Sequence, residues 1–202
     1  MMQSSKIALF GLLVLFIAGF VTNSSAQTIA DLTEILEDEG LEWLTPIPSC
    51  PADLMQDKNI KVQPEYRSCQ DYLGKCVEDC QKGNPERCFT AAVTHQSLEN
   101  DGHALSLFGK ACALGVAVGC TNLAASLRFG DVGSGTCNAK TFEKTCALNE
   151  PWGCAMSAVI VANGEGVPRD QQKAKNYAER TCALSPDSDP CDLANDVIAD
   201  NE

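Results

Sequence analysis

CALGVAVGC, Cys112–Cys120, returns almost at once as CALNEPWGC, Cys146–Cys154. The ends of the two copies agree and their interiors do not, so the constant feature is a pair of cysteines at a fixed interval. Two further pairs stand at the same or nearly the same interval, Cys80 with Cys88 and Cys182 with Cys191. The first members of the four pairs are 32, 34 and 36 residues apart. A period in that range fits a unit of two helices of about a dozen residues joined by turns.

The segments between the pairs carry helical patterns. TNLAASLRFG, Thr121–Gly130, holds Leu123, Leu127 and Phe129 as apolar positions and runs into the glycines between Gly130 and Gly135. AMSAVIVANGEGVPRD is apolar up to Asn163 and is then broken by Gly164, Gly166 and Pro168. Gly and Pro end helices for backbone reasons. Asp170 is placed to cap the next helix, in which Ala174, Tyr177, Ala178 and Thr181 fall at helical spacing. Each unit therefore reads as helix, Gly-rich turn, helix, cysteine, and the fold class as all-α. Two columns support the alignment without using the paired cysteines. Four residues before the first cysteine stand Cys76, Phe108, Phe142 and Ala178, an apolar position in every unit. Just after the second cysteine stand Ala91 and Ala92, Leu123 and Ala124, Ser157 and Ala158, and Ala194, mostly small residues that let helices approach closely.

In this register the first cysteine of a pair ends one unit and the second begins the next. A disulfide requires Cα atoms within about 7 Å, which the adjoining ends of two antiparallel helices can meet. The spacing predicts bonds Cys80–Cys88, Cys112–Cys120, Cys146–Cys154 and Cys182–Cys191. The compartment agrees. Lys6 precedes an apolar run, Ile7–Val21, followed by small residues at Ser24 and Ala26, the pattern of a signal peptide, residues 1–26, cleaved after Ala26. A membrane-spanning helix needs about 20 apolar residues, so no stable span is expected after cleavage. Export makes disulfides the default for twelve cysteines. Structural zinc is not expected, since the chain has no C-x2-C pair and only His95 and His103. Nor is a nucleic-acid role: 14 basic against 27 acidic residues from Gln27 onward give −13 (15 − 1 basic, Lys6 lying in the signal). We expect no cofactor and a monomer.

GEGVPRDQQKAKNYAERTCAL, Gly164–Leu184, closely resembles the Sel-one-like repeat, a relative of the tetratricopeptide repeat, at Gly164, Gly166, Val167, Asp170, Lys173, Ala174 and Tyr177. GCTNLAASLRFG, Gly119–Gly130, resembles the other half of that pattern, with Asn122 and Leu123 in place and Ala124 where glycine is usual. The cysteine pairs are similar to those of the secreted cysteine-rich bacterial branch, the Hcp-like proteins. The resemblance runs from about Ser68 to the C-terminus and is weaker in ENDGHALSLFGKAC. It implies a right-handed α/α solenoid over residues 68–202, about three full units with partial units at both ends, whose first helices line a groove for a protein or peptide ligand. The groove candidates are Thr94, His95, Asn122, Ser126, Arg128 and Met156. Some members of that branch are described as penicillin-binding proteins or weak β-lactamases, which is the alternative function. A serine β-lactamase needs S-x-x-K, S-D-N and K-T-G elements, and residues 27–202 contain none of them. The nearest string, Thr141–Lys144, falls within a helix.

Residues 27–67 differ. Ile29, Leu32, Ile35 and Leu36 share one side of a short acidic helix ending near Gly40, and Pro46, Pro48 and Pro51 then break regular structure. This segment reads as a cap over the first repeat or as a docking helix for a partner. At the other end Leu193, Ala194, Val197 and Ile198 form the apolar face of a closing helix. Four cysteines fall outside the ruler. Cys69 and Cys76, read within one helix, are separated by about 10 Å along its axis, too far to bond. Cys50 with Cys69 is the favoured pair. Cys76 reads as a buried thiol, and Cys137 as free or paired with Cys76. The function expected is that of an exported binding or scaffold module, secreted or periplasmic, with no catalytic motif.

Overall fold

Proline, asparagine, serine and acidic residues set where several of the helices begin. Asn84 Oδ1 accepts from Arg87 N at 3.1 Å, Ser134 Oγ from Cys137 N at 3.1 Å and Asp170 Oδ1 from Lys173 N at 2.9 Å, each a side-chain N-cap. Pro85 and Pro151 occupy the first turn of their helices, where a missing N–H does no harm. The computed structural model describes residues 43–44, 50–63, 69–130 and 134–199. Within them lie eight α-helices and no strand: α1 (Leu73–Gln81), α2 (Pro85–Ser97), α3 (Asp101–Ala113), α4 (Ala117–Phe129), α5 (Gly135–Ala147), α6 (Pro151–Asn163), α7 (Gln171–Leu184) and α8 (Asp189–Ala199), preceded by one 3₁₀ turn, Pro51–Asp53. None of these helices is long and apolar enough to cross a membrane. The expected signal peptide, residues 1–26, and the expected short helix from Ile29 to Leu36 lie outside the described residues.

The turns that close α1, α3 and α5 share one bonding scheme. Gly83 N, Gly115 N and Asn149 N donate to the carbonyls of Cys80, Cys112 and Cys146, at 2.8, 2.9 and 2.9 Å. The next residue in each, Asn84, Val116 or Glu150, donates to the carbonyl before the cysteine, at 3.0, 3.0 and 3.1 Å. The scheme puts Gly83, Gly115 and Asn149 in the left-handed region, at φ 92°, 97° and 59°, which glycine and asparagine tolerate best. It also delivers the next helix to the end of the last. Cys80–Cys88, Cys112–Cys120 and Cys146–Cys154 are bonded across Cα distances of 4.6, 4.6 and 4.4 Å. Cys182–Cys191 closes the fourth turn at 4.7 Å.

Consecutive helices pack on one another along the chain, α4 also touches α6, and α8 folds back onto α6 as well as α7. Phe108 and Phe142 are fully buried, and so are Ala91, Ala92, Leu123, Ala124, Ala158 and Ala194. Small residues permit this closeness. A Cβ on Gly153 of α6 would stand 2.0 Å from Thr145 Oγ1 and 3.0 Å from the backbone nitrogen of Cys146 on α5. Leu193, Val197 and Ile198 of α8 are half-buried against these clusters.

The remaining cysteines correct the sequence reading. Cys69 lies in the turn before α1, where Tyr72 N reaches its carbonyl at 3.2 Å. The chain between Cys69 and Cys76 is therefore not one straight helix, and the two Cα atoms are 6.1 Å apart and bonded. Cys76 is thus no thiol, and Cys50 does not pair with Cys69. Cys50 instead bonds Cys137, 87 residues away and in the first turn of α5, so Cys137 is neither free nor joined to Cys76. No cysteine is free.

Cys112→Ser with Cys120→Ser is expected to keep the helical circular dichroism spectrum and to lose about 2–3 kcal/mol of unfolding stability, the chain-entropy value for so short a loop. Gly153→Ala, which leaves every disulfide intact, should lose about 1–3 kcal/mol through overpacking against Thr145 and Cys146. Denaturant midpoints check both.

Candidate functional site

Ahead of Cys69, Leu44 is buried in the core with Trp43 packed beside it, and residues 50–63 form a strap over the helices. Its anchor is the Cys50–Cys137 bond. Ala52 N then donates to Thr141 Oγ1 at 3.1 Å, Lys144 Nζ donates to the Ala52 carbonyl at 2.8 Å, and Lys140 pairs with Asp53 at 2.9 Å. One face of α5 is thereby committed to holding Pro51–Asp53. Thr141 and Lys144 belong to the string nearest a hydrolase motif. Thr141 is fully buried, and its hydroxyl donates to the Cys137 carbonyl at 2.9 Å, so it stands as a helix hydroxyl bonded one turn back.

From there the strap crosses the edge formed by two stapled turns. Gln56 Nε2 donates to the Ala113 carbonyl. Ile60 N donates to the Gly115 carbonyl at 2.8 Å, Asn59 Nδ2 to that of Leu148 at 3.2 Å and Lys61 Nζ to that of Asn149 at 3.1 Å. The Lys58 stem lies over Gly115, where a Cβ would come within 2.2 Å of it. Beyond the edge, Asn59–Val62 border an open cleft of about 490 Å³ whose other walls include Phe89 and Val93 of α2, Val118 of α4 and Pro151 of α6. Three alternate helices thus contribute to one concavity.

Glu150 lies at the back of this cleft, 3% exposed, as the N-cap of α6. Its carboxylate accepts from Gly153 N at 2.6 Å, Thr121 Oγ1 at 2.7 Å and Trp152 N at 3.1 Å. Burial pushes its pKa above the ordinary carboxylate value, against the opposing pull of the Thr121 hydroxyl and the two backbone donors.

Of the expected groove residues, Thr94 and Met156 are buried. The Thr94 hydroxyl donates to the Thr90 carbonyl at 2.9 Å. Met156 is 6% exposed, within a cluster containing Ala124, Phe142 and Ile160. His95 stacks on His103, with ring centroids 4.7 Å apart. The Arg128 guanidinium is spent on Glu165, with bonds of 2.7 and 2.8 Å, and this ion pair holds the Glu165 carboxyl below its usual range. Asn122 bonds its own helix, Nδ2 to the Val118 carbonyl at 2.8 Å, and it and Ser126 are half-buried on α4. The sequence reading missed Val93, 38% exposed, and Phe129, 75% exposed with the Arg128 guanidinium 5.1 Å from its ring. It also missed the strap, although Asn59-Ile60-Lys61-Val62 alternates polar and apolar residues in the manner of an extended segment. Among the described residues no three His, Cys, Asp or Glu side chains gather as metal ligands.

No family model matches the chain, and no solved structure matches it. Among curated proteins, cytochrome c oxidase assembly factor 7A of Xenopus laevis is similar, 28% identical over 122 residues, or 56% of this chain and 50% of that protein. The chain thus spans about half the length of the curated relative it matches.

Glu150 yields a pH prediction. Its native pKa lies above the unfolded value, so its contribution to stability is full below the unfolded carboxylate pKa and is lost as pH rises through the native one. Glu150→Gln does not titrate at that position. The stability of the native sequence minus that of Glu150→Gln should therefore fall as pH rises from about 4. The fall measures the shift at about 1.4 kcal/mol per pH unit, read by denaturation at a series of pH values.

Proposed function

We propose that the protein is a non-catalytic binding module of an oxidising compartment, a disulfide-stapled solenoid of Sel-one-like, tetratricopeptide-like units whose first helices present a surface to a protein or peptide partner. The observation that carries this reading is the cleft to which α2, α4 and α6 each contribute. Helices that alternate along the chain reach one concavity when helix pairs stack in register, as they do in repeat arrays. The shared bonding of three successive stapled turns supports the same register. Six disulfides and no free cysteine suit export through residues 1–26, to the periplasm or the medium, where such bonds persist. The similar protein is named as an assembly factor, and this name supports binding over hydrolysis.

The test is site-specific photo-cross-linking. A benzophenone side chain in place of Val93, which lines the cleft from α2 and is 38% exposed, should give discrete adducts with a partner from the protein's own compartment. The same group in place of Gln172, exposed on α7, should give few. Equal labelling at both positions overturns the reading. Nitrocefin turnover that co-purifies with the protein would return the β-lactamase assignment in its place.

A further inference from the structure

The strap shows what chemistry the stapled edge recognises. Helices α3 and α5 both end there, and the last carbonyls of a helix lack intrahelical donors and carry the negative end of its dipole. The carbonyls of Ala113, Gly115, Leu148 and Asn149 accept from Gln56, Ile60, Asn59 and Lys61 of the strap. The rim thus offers acceptors to whatever crosses it, with the Glu150 carboxyl behind them, and the whole chain carries a net charge of −12. A main-chain N–H, an amide or an ammonium fits such a rim, while a carboxylate is repelled. Next to it, Ile60 and Val62 are half-buried and share the cleft with Phe89, Val93 and Val118.

We propose that the stapled edge and the cleft beside it form a binding site for an extended peptide in which a lysine stands between β-branched residues, and that Asn59–Val62 is the resident occupant of the edge and walls one side of the cleft. The inference rests on the peptide-binding reading and gives it a place and a ligand chemistry. The strap is tied before this stretch by Cys50–Cys137 and after it by Cys69–Cys76. A segment tethered in this way competes at an effective concentration of about millimolar order. The site therefore stays closed to weak ligands and opens to a peptide that pairs with the same carbonyls and fills the remaining volume.

The experiment uses the full chain with its disulfides intact and, as probe, a fluorescein-labelled hexapeptide of the strap's own sequence, KNIKVQ, residues 58–63. Anisotropy titrations compare the native sequence with Ile60→Asp/Val62→Asp, which ejects the strap from the cleft. A milder variant, Asn59→Ala/Lys61→Ala, removes only its side-chain donors. The first should bind the probe about 10-fold or more tightly than the native chain, and the second should show a smaller gain. Val93→Glu added to the ejected-strap variant should abolish binding, as should replacing the probe's second lysine by glutamate. Equal binding to the native chain and both variants, or binding to none, overturns the proposal. Circular dichroism checks folding, and if the ejected-strap variant does not fold, the milder variant decides alone. A native dimer that dissociates on Asn59→Ala/Lys61→Ala would assign the cleft to the strap of a second copy and overturn the peptide assignment. Cross-linking through position 93 without any response of the hexapeptide would remove this inference alone, whereas loss of both would remove the reading beneath it.

Discussion

Two hydrogen bonds and one disulfide, repeated at the end of α1, α3 and α5, fix the geometry on which the other contacts of the array depend. The bond from the third residue after the cysteine back to the cysteine carbonyl closes the helix, and the left-handed residue that makes it reverses the chain. The disulfide then holds the next helix start within 4.4–4.6 Å of the last helix end, Cα to Cα. With the joint set this tightly, adjacent helices lie close enough that alanine and glycine, as at Ala124, Ala158 and Gly153, fill the space between them. Side chains so small remove little apolar area from water. The large fully buried residues are few, led by Phe108, Phe142 and Leu107. The staples act on the other side of the balance by restricting the unfolded chain.

The same joint has an electrostatic consequence. Every stapled turn places the C-terminus of one helix against the N-terminus of the next, so unpaired carbonyls and unpaired N–H groups meet at one edge. At two of these turns the N–H groups are served locally: Asn84 caps α2, and Glu150 caps α6 by a carboxylate drawn into the interior between Thr121 and Gly153. The turns serve the carbonyls of Ala111, Cys112, Thr145 and Cys146, and the strap supplies donors to those of Ala113, Gly115, Leu148 and Asn149. An acidic chain thereby collects the donors of its own Asn59 and Lys61 at its most acceptor-rich edge.

What the sequence made legible follows from range. The paired cysteines, the period and the Asp170 cap are local signals, and local signals report the backbone within one unit. Cys69–Cys76 is also close in sequence, yet its reading turned on where α1 begins, and SCQDYLGKC carries no strong N-cap to mark Leu73 as the start. Cys50–Cys137 spans 87 residues, and nothing in either neighbourhood names the other. The burial of Thr94 was hidden for a different reason. Thr94 read as surface because it is polar, but a threonine hydroxyl can satisfy itself on the carbonyl one turn back and go inside. Phe129 read as one of the apolar positions of its helix, but it falls on the last residue of α4, where no neighbouring helix covers it.

The strap's position can be argued from the differences among the four stapled turns. Two adjacent turns must present carbonyls in matching register for one extended segment to serve both. The α7–α8 turn is one residue longer, with Pro186 and a left-handed Asp187, and Ser185 N returns to Thr181 there in place of the shared scheme. The α1–α2 turn keeps the scheme but follows a charged helix end, where Lys82 pairs with Glu78 on the same surface. The α3–α4 and α5–α6 turns share both the bonding scheme and an uncharged rim, GV in one and the NE of Asn149–Glu150 in the other, whose acid is turned inside. The side chains of Asn59 and Lys61 reach the α5–α6 turn while the backbone N–H of Ile60 between them bonds the α3–α4 turn, so the strap lies between the two. The crossing point of the strap is therefore fixed by the joint itself: it lies where two stapled turns expose carbonyls that no residue of their own helices can satisfy.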